Sequence, residues 1–259
     1  MNHVGIGGWN YKPWRGTFYP EGLRQADELS YAGDKLTAIE INGTFYRTQS
    51  AASFAKWRDA VPDGFRFAVK GHRAVVNKKV LAEAEEGVAW FFGSGIAELG
   101  DKLGPVLWQF APYKKFDPDD LGAFFSFLPR EVDGVPIRHA VEVRSTSFLN
   151  PEFVSLARAH NVAIVYADSE AYPAIADVTS DFVYARLQRT VKEEAIGYAP
   201  ADLDTWAKRA ELWARGGAPS DLPTFGEPAA EEKRDVFVFM IAGAKLRAPH
   251  AAMALLERM

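Results

Sequence analysis

Charged and amide side chains recur at the ends of short apolar segments in this chain of 259 residues. Carboxylates can act as general bases, arginines bind anions through paired hydrogen bonds, and a lysine can neutralise developing charge. Brought together, such groups could bind and convert a small phosphorylated or otherwise anionic substrate. The residues concerned are Glu40, Asn42, Lys70, Gln109, Glu142, Arg144, Asp168, Arg186 and Gln188.

The apolar segments alternate with helical patterns, and this alternation predicts parallel strands joined by helical crossovers. The predicted strands are Val4–Gly8, Thr37–Ile41, Phe65–Val69, Val106–Phe110, His139–Val143, Ala163–Tyr166, Phe182–Arg186 and Val236–Ile241. Predicted helices include Ser50–Ala60, Lys79–Leu99, Asp119–Leu128, Pro151–His160, Ala201–Ala214 and Pro249–Arg258. The pattern favours one (β/α)8 TIM-type barrel over residues 1–259, with a doubly wound open sheet as the alternative. Residues 216–235, rich in proline and glycine, are predicted to be an inserted surface loop.

Alternation of side chains along each strand predicts that the polar residues share one face and meet at the carboxyl-end mouth of the barrel. The alternative is a set of internal salt bridges, such as Glu142 with Arg186, that closes the barrel. The predicted catalytic residues are Glu40, Glu142 and Lys70. The predicted substrate-binding residues are Trp9, Asn42, Tyr46, Gln109, Arg144, Asp168, Arg186 and Gln188.

Glu142 or Glu40 would act as the general base, and Arg144 with Arg186 would bind the anion. The predicted loops at the carboxyl ends of the strands are net positive although the whole chain carries a formal charge of −4. Such a mouth would attract an anionic ligand. These features predict an enzyme of hydrolase or lyase type.

Two other functions stay open at this point. Aromatic and basic residues interleave between Trp9 and Pro20, and they could stack a base and hold a phosphate in a non-catalytic binder of nucleotides or nucleic-acid ends. The same aromatic residues could instead close the top of the barrel over a small core. A barrel sealed by internal ion pairs would act through protein contacts.

Composition excludes several classes of chemistry. The chain has no cysteine, so thiolate nucleophiles, disulfides and cysteine-based metal sites are absent. No nucleotide-binding glycine motif occurs, and no cofactor is expected, although Mg²⁺ or Mn²⁺ could bind at Glu40, Glu142 and Asp168. The first residues do not resemble a signal peptide, and no apolar run is long enough to span a bilayer. We therefore expect a soluble, cytoplasmic protein of unspecified oligomeric state.

Several motifs in order along the chain resemble the YecE-like family, also called domain of unknown function 72. The most specific is the run Glu40-Ile41-Asn42 followed by Thr44-Phe45-Tyr46-Arg47. The other matching segments are 8–11, 14–20, 103–109, 141–144 and 182–187. The resemblance implies a TIM-type barrel and the same polar positions, and it implies no particular reaction.

The chain departs from the family pattern at three places, which suggests a divergent member. Residues 186–189 read Arg-Leu-Gln-Arg where the family usually has Arg-Leu-His-Gly, so Gln188 replaces a titratable histidine. Residues 240–243 replace a polar run rich in asparagine. Residues 76–77 read Val-Asn where the family tends to have Thr-His.

Overall fold

Eight parallel strands close into a barrel in the computed structural model, which describes all 259 residues. Each strand pairs with its neighbours in chain order, and the last pairs with the first. The strands are β1 Asn2–Gly7, β2 Ala38–Ile41, β3 Arg66–Lys70, β4 Leu103–Gln109, β5 His139–Glu142, β6 Val162–Asp168, β7 Phe182–Leu187 and β8 Asp235–Met240. A short antiparallel hairpin, residues 131–136, precedes β5. The predicted (β/α)8 barrel is confirmed.

Helices lie between most of the strands. They are α1 Glu28–Lys35, α2 Ala51–Asp59, α3 Arg73–Val76, α4 Glu85–Phe92, α5 Pro118–Ser126, α6 Pro151–Ala159, α7 Pro200–Ala214 and α8 Ala248–Leu256. None of them has the length and apolarity needed to cross a bilayer. The start of α6 follows from sequence, because Asn150 accepts a hydrogen bond from the Phe153 amide at 2.9 Å ahead of Pro151.

The predicted helix Lys79–Leu99 is wrong in extent, since only its central part forms α4. The helix stops before Gly95, whose φ of +99° is a left-handed conformation that glycine adopts readily. A Cβ atom on Gly95 would lie 2.6 Å from the Cβ of Ala51, at the start of α2. The break therefore lets the chain pass close to α2, a long-range constraint that helical periodicity does not contain.

The connection from β6 to β7, residues 169–181, contains no helix. Residues 216–235 form no helix or strand before β8 and pack against that connection. The buried carboxylate of Asp177 accepts hydrogen bonds from the amides of Phe225 and Gly226, each at 2.8 Å. The proline- and glycine-rich segment therefore packs on the irregular connection between β6 and β7.

The barrel interior contains an apolar layer and, towards the carboxyl ends of the strands, a polar layer. The apolar layer consists of Ala38, Ala68, Leu107, Ala140, Ala163, Val165, Phe182, Tyr184, Phe237 and Phe239. The polar layer consists of Glu40, Lys70, Gln109, Glu142 and Arg186, all of them buried. Residues of the opposite parity join the larger core between the strands and the helices. Strand alternation therefore places the polar layer as predicted in β2, β3, β4, β5 and β7.

The predicted orientation of β6, in which Asp168 would face the barrel mouth, is wrong. Val165 belongs to the apolar layer inside the barrel, whereas Tyr166 packs outside against Trp206 with ring centres 5.6 Å apart. Asp168 shares the parity of Tyr166 and so lies on the outer side. Both faces of this strand are apolar, so the sequence contained no contrast that could fix its orientation.

Candidate functional site at the carboxyl end of the barrel

Arg186 lies between two glutamates in the polar layer. Its Nε and Nη2 atoms donate to the two carboxylate oxygens of Glu40 at 3.1 and 3.0 Å, and Nη1 donates to Oε2 of Glu142. The side chains of Arg186 and of both glutamates are at most 3% exposed. Since every guanidinium nitrogen already donates to a carboxylate, this geometry does not fit the predicted role of Arg186 in binding an anion.

Both carboxylates accept several hydrogen bonds. Burial alone would raise the pKa of Glu142, but Arg186 and Arg144 outweigh it and keep that pKa below its usual value. Glu40 also accepts hydrogen bonds from the Tyr184 hydroxyl at 2.6 Å and from Asn42 Nδ2 at 2.9 Å. Glu142 is therefore a weak base, and the principal effect of both carboxylates is to fix the cations around them.

Tyr184 connects the two layers of the interior. Its ring packs in the apolar layer at 5.1 Å from the ring of Phe239, while its hydroxyl reaches Glu40. Burial, with the negative charge of Glu40, raises the pKa of Tyr184 well above its usual value, so the hydroxyl stays protonated and acts as a donor.

Lys70, the last residue of β3, is the cation in the polar layer that forms no ion pair within 4 Å. Its Nζ donates to Oε1 of Gln109 at 2.7 Å and lies 4.5 Å from the centre of the Phe45 ring. Burial, reinforced by the charge of Arg186, lowers the pKa of Lys70 to about 8, against the opposing effect of the two glutamates. At neutral pH about a tenth of such side chains carry a free amine.

Arg144 lies just beyond the end of β5, and its side chain is 21% exposed. Its Nε donates to Oε1 of Glu142 at 2.8 Å, and its guanidinium lies 4.2 Å from the centre of the Tyr172 ring. Neither terminal nitrogen donates to a protein acceptor. Arg144 therefore has an unused pair of donors with the geometry that binds carboxylate or phosphate.

Gln109 connects the two cations that remain available. Its Oε1 accepts from Lys70, and its Nε2 donates to Oε1 of Glu142 at 2.9 Å, the oxygen that also binds Arg144. Lys70 and Arg144 are thus joined through three successive hydrogen bonds. With Arg186 counted, the cluster has three cations and two carboxylates, which leaves one positive charge uncompensated when Lys70 is protonated.

Local sequence explains where Lys70 lies. The buried hydroxyl of Thr44, in the turn after β2, donates to the Lys70 carbonyl at 2.6 Å and holds the adjacent Phe45 near the lysine. Glycine follows at position 71, where a Cβ atom would lie 2.3 Å from Cε3 of Trp108. The close packing of this backbone against an indole ring requires the missing side chain.

Asp168 and Gln188 lie apart from the cluster, contrary to the prediction that they join it. They line a separate groove of about 740 Å³ between the ends of β6 and β7 and the start of α7. Asp168 approaches Arg189 at 3.8 Å, and burial raises its pKa although Arg189 opposes this shift. Asp168 lies apart because its position in β6 directs its side chain outwards. Gln188 lies apart because β7 ends at Leu187, one residue before it.

Trp9 and Tyr46 also lie outside the polar layer. Trp9 packs edge-on against Trp57 of α2, with ring centres 5.0 Å apart, and borders a cavity of about 350 Å³ on the outer side. Tyr46 is 68% exposed and lies beside Phe45, with ring centres 5.0 Å apart. Of these two residues only Tyr46 is linked to Lys70, because it packs against Phe45, which lies beside the lysine at the rim of the mouth.

The aromatic residues of the first loop are mostly core. Trp14, Phe18 and Tyr19 are buried, and Nε1 of Trp14 donates to the Lys245 carbonyl at 2.9 Å. Arg15 forms an ion pair with Glu28 at 2.6 Å. Of the two interpretations of this loop, packing between neighbouring loops fits the structure, because these buried rings cannot stack on a base.

The carboxylates suggested as a Mg²⁺ or Mn²⁺ site do not meet. Asp168 lies outside the barrel, and both Glu40 and Glu142 are occupied by Arg186. No group of three histidine, aspartate or glutamate side chains in the structure could hold a metal ion.

Sequence reasoning missed three aromatic partners of the cluster: Phe45 beside Lys70, Tyr172 beside Arg144, and Tyr184 below Glu40. Parity along β7 gave a signal for Tyr184, which has the same parity as Arg186. No signal existed for Tyr172, because it lies in an irregular loop.

Comparison with known proteins agrees with this architecture. Residues 3–259 match the family model described as "Protein of unknown function DUF72". The UPF0759 protein YunF of Bacillus subtilis (strain 168) is 23% identical over 158 residues, which cover 59% of this chain and about half, 54%, of that relative.

Solved structures match over nearly the whole chain. A DUF72 family protein from Thermotoga maritima MSB8 superposes with a TM-score of 0.73 at 23% identity, covering 100% of this chain and 97% of that one. A DUF72 family protein from Enterococcus faecalis V583 gives a TM-score of 0.69 at 18% identity, covering 100% and 94%. At these identities the structural matches establish the fold, and the family model establishes that the chain belongs to the DUF72 family.

Proposed function

We propose that this protein is an enzyme of hydrolase or lyase type that acts on a small anionic substrate at the carboxyl end of the barrel. The observation that carries the proposal is the uncompensated positive charge of the cluster, located at Lys70 and Arg144. A buried charge without a partner is unfavourable, and a bound anion would compensate it.

The proposal divides the cluster into two functional parts. Arg144 offers two free terminal nitrogens for a carboxylate or phosphate, and Glu142 orients it through Nε. Lys70 would act on the reacting end of the substrate, because a pKa of about 8 allows proton transfer near neutral pH. Glu40 and Arg186 support this site from below, in place of the base and anion-binding roles expected from sequence.

Thermal denaturation in the presence of candidate ligands tests this proposal. Inorganic phosphate, phosphorylated metabolites and small carboxylates should include compounds that raise the Tm, because a ligand that binds only the native state stabilises it. Lys70→Met and Arg144→Met should each abolish the increase. Arg215→Met provides the matched control, since Arg215 is an exposed arginine directly after the last residue of α7 and does not belong to the cluster. Ligand-induced stabilisation that persists in both site variants would contradict the proposal.

One observation favours a second candidate, a sealed barrel that acts through protein contacts. Arg186 and the two glutamates form a buried ionic layer across the interior. Absence of stabilisation by any anion, with both site variants as stable as or more stable than the parent, would favour this candidate. No comparable observation favours a binder of nucleic-acid ends, because three of the first-loop aromatic rings, Trp14, Phe18 and Tyr19, are buried.

A further inference from the structure

We propose that Lys70 forms a Schiff base with a substrate that carries a carbonyl group at one end and a carboxylate or phosphate at the other. The carbonyl carbon would lie at Lys70 Nζ and the anionic group at Arg144. This inference rests on the proposed function and specifies the substrate class and the covalent step of that same site.

Comparison of the three buried lysines shows why Lys70 is the nucleophile. Lys102 and Lys114 each donate to two backbone carbonyl oxygens, at 2.7–2.9 Å, and each has a carboxylate within 4.0 Å. These contacts fix both ammonium groups in position, while burial lowers the pKa of Lys114. Lys70 has one amide oxygen acceptor, from Gln109, and an aromatic ring beside it. Of the three, only Lys70 therefore has neither a carboxylate nor a backbone carbonyl partner at Nζ.

The location of Lys70 suits attack on a bound carbonyl compound. Its carbonyl is fixed by Thr44, and the side chain extends into the polar layer at the mouth of the barrel. The lowered pKa of Lys70, caused first by burial, supplies free amine at neutral pH and supports this geometric argument. Each guanidinium nitrogen of nearby Arg186 already donates to a carboxylate, so we assign the substrate's anionic group to Arg144, whose terminal nitrogens donate to no protein acceptor.

The covalent step is a condensation. The Nζ lone pair attacks the carbonyl carbon and forms a C–N bond, while the C=O π electrons move to oxygen, which takes a proton from water. Nitrogen loses a proton to solvent, which gives a neutral carbinolamine. Its hydroxyl takes a second proton from solvent and leaves as water, while the nitrogen lone pair forms the C=N bond of a protonated imine. No electrons are exchanged with an external oxidant. The imine cation can accept the electron pair from a bond at the adjacent carbon, which is lyase-type chemistry.

Reductive trapping tests the inference directly. The intact protein is incubated with glyoxylate at pH 7, reduced with sodium cyanoborohydride and analysed by peptide mass mapping. We expect at least roughly tenfold more adduct at Lys70 than at Lys102, Lys114 or exposed Lys208, because Lys102 and Lys114 are held by backbone carbonyl oxygens and Lys208 lies outside the cluster. Lys70→Arg should remove this adduct. Acetaldehyde serves as the probe without an anionic group.

Arg144→Met separates the two ends of the substrate. It should reduce adduct formation with glyoxylate by roughly tenfold and leave that with acetaldehyde nearly unchanged, because only glyoxylate has a carboxylate for Arg144 to bind. Equal losses with both probes would overturn two-point binding. If Lys70→Arg does not fold, the position of the adduct in the parent chain still decides the question.

The outcomes distinguish this inference from the proposed function. One possible result is that no adduct forms at Lys70 while anions still raise the Tm in a way that depends on Lys70 and Arg144. This result would overturn the Schiff base but would agree with the proposed enzyme for an anionic substrate. Absence of both adduct and stabilisation would overturn both. Adduct spread evenly over the lysines would also overturn the Schiff base, since it would reflect ordinary surface reactivity.

Discussion

The apolar and polar layers of the barrel interior are built on the same strands but are held together by different forces. In the apolar layer Phe182 and Phe237 meet edge to face, with ring centres 5.9 Å apart, and their stabilisation grows with buried area. In the polar layer Arg186 is stabilised only while Glu40 and Glu142 remain in place. Packing in this barrel can therefore be shared among many neighbours, whereas charge pairing depends on individual partners.

Removal of the shared cation should have the largest effect. Arg186→Met would leave both Glu40 and Glu142 without their principal counter-charge in a buried site, so we expect a loss of about 3–5 kcal/mol in the free energy of unfolding. Urea denaturation at pH 7 measures this loss. Burial of the two carboxylates makes the effect much larger than that of a surface pair.

Arg215→Met is the control for this experiment, because Arg215 and Glu211 form an exposed pair on α7. It should change the free energy of unfolding by at most about 0.5 kcal/mol. Equal effects of the two substitutions would show that the polar layer is hydrated and would remove the distinction between the layers.

The sequence predicted the polar layer wherever a strand had one polar and one apolar face. In β2, Ile39 and Ile41 alternate with Glu40 and Asn42, and the structure follows that alternation. Pairing across the barrel was only partly accessible. Glu142 with Arg186 could be suggested as a salt bridge, but the contact of Arg186 with Glu40 depends on barrel width and strand stagger, which sequence alone does not specify.

Other features depend on tertiary context in the same way. Apolar residues occur on both faces of β6, and the structure places Ala163 and Val165 inside the barrel and Tyr166 outside. The free nitrogens of Arg144 could not be predicted either, because they result from which acceptors the fold leaves out of reach. Sequence thus predicted the architecture and most of the cluster's members, and it did not predict their division into supporting and available groups.

Acid should destabilise the apolar layer through His3. This residue stacks on Phe237 at 4.7 Å, and burial lowers its pKa from 6.5 to about 4, although Asp235 opposes the shift. The unfolded chain therefore binds the proton first. The contribution of neutral His3 to the free energy of unfolding is fully present above pH 6.5, and up to about 3 kcal/mol of it is lost as the pH decreases to 4.

His3→Leu should reduce this acid sensitivity in urea denaturation between pH 7 and pH 4. His139, whose pKa burial also lowers to about 4, stays in both chains, so the difference between them isolates His3. Identical pH profiles of the variant and the parent would contradict the assignment.

Alkali should have the opposite effect on the polar layer through Lys70. Its pKa of about 8 lies below the ordinary 10.5, so the native state releases the proton before the unfolded state does. Stability should rise between pH 8 and pH 10.5 by an amount that approaches 3 kcal/mol at most. Lys70→Met should stabilise the protein at pH 7, and this advantage should shrink above pH 8. Lys102→Met, which breaks two hydrogen bonds to backbone carbonyls, should destabilise it instead.

Within the barrel interior, the smallest effect is expected from an apolar exchange in the apolar layer. Phe237→Leu keeps an apolar side chain among Phe182, Tyr184 and Phe239, so the neighbours can adjust to the lost ring. We expect a loss of about 1–1.5 kcal/mol, measured by urea denaturation at pH 7. The substitution removes about as little side-chain volume as Arg186→Met, so a comparison of the two separates packing from charge. A loss for Phe237→Leu as large as that for Arg186→Met would mean that packing in the apolar layer depends on individual residues as strongly as charge pairing does, which would contradict the distinction between the two layers.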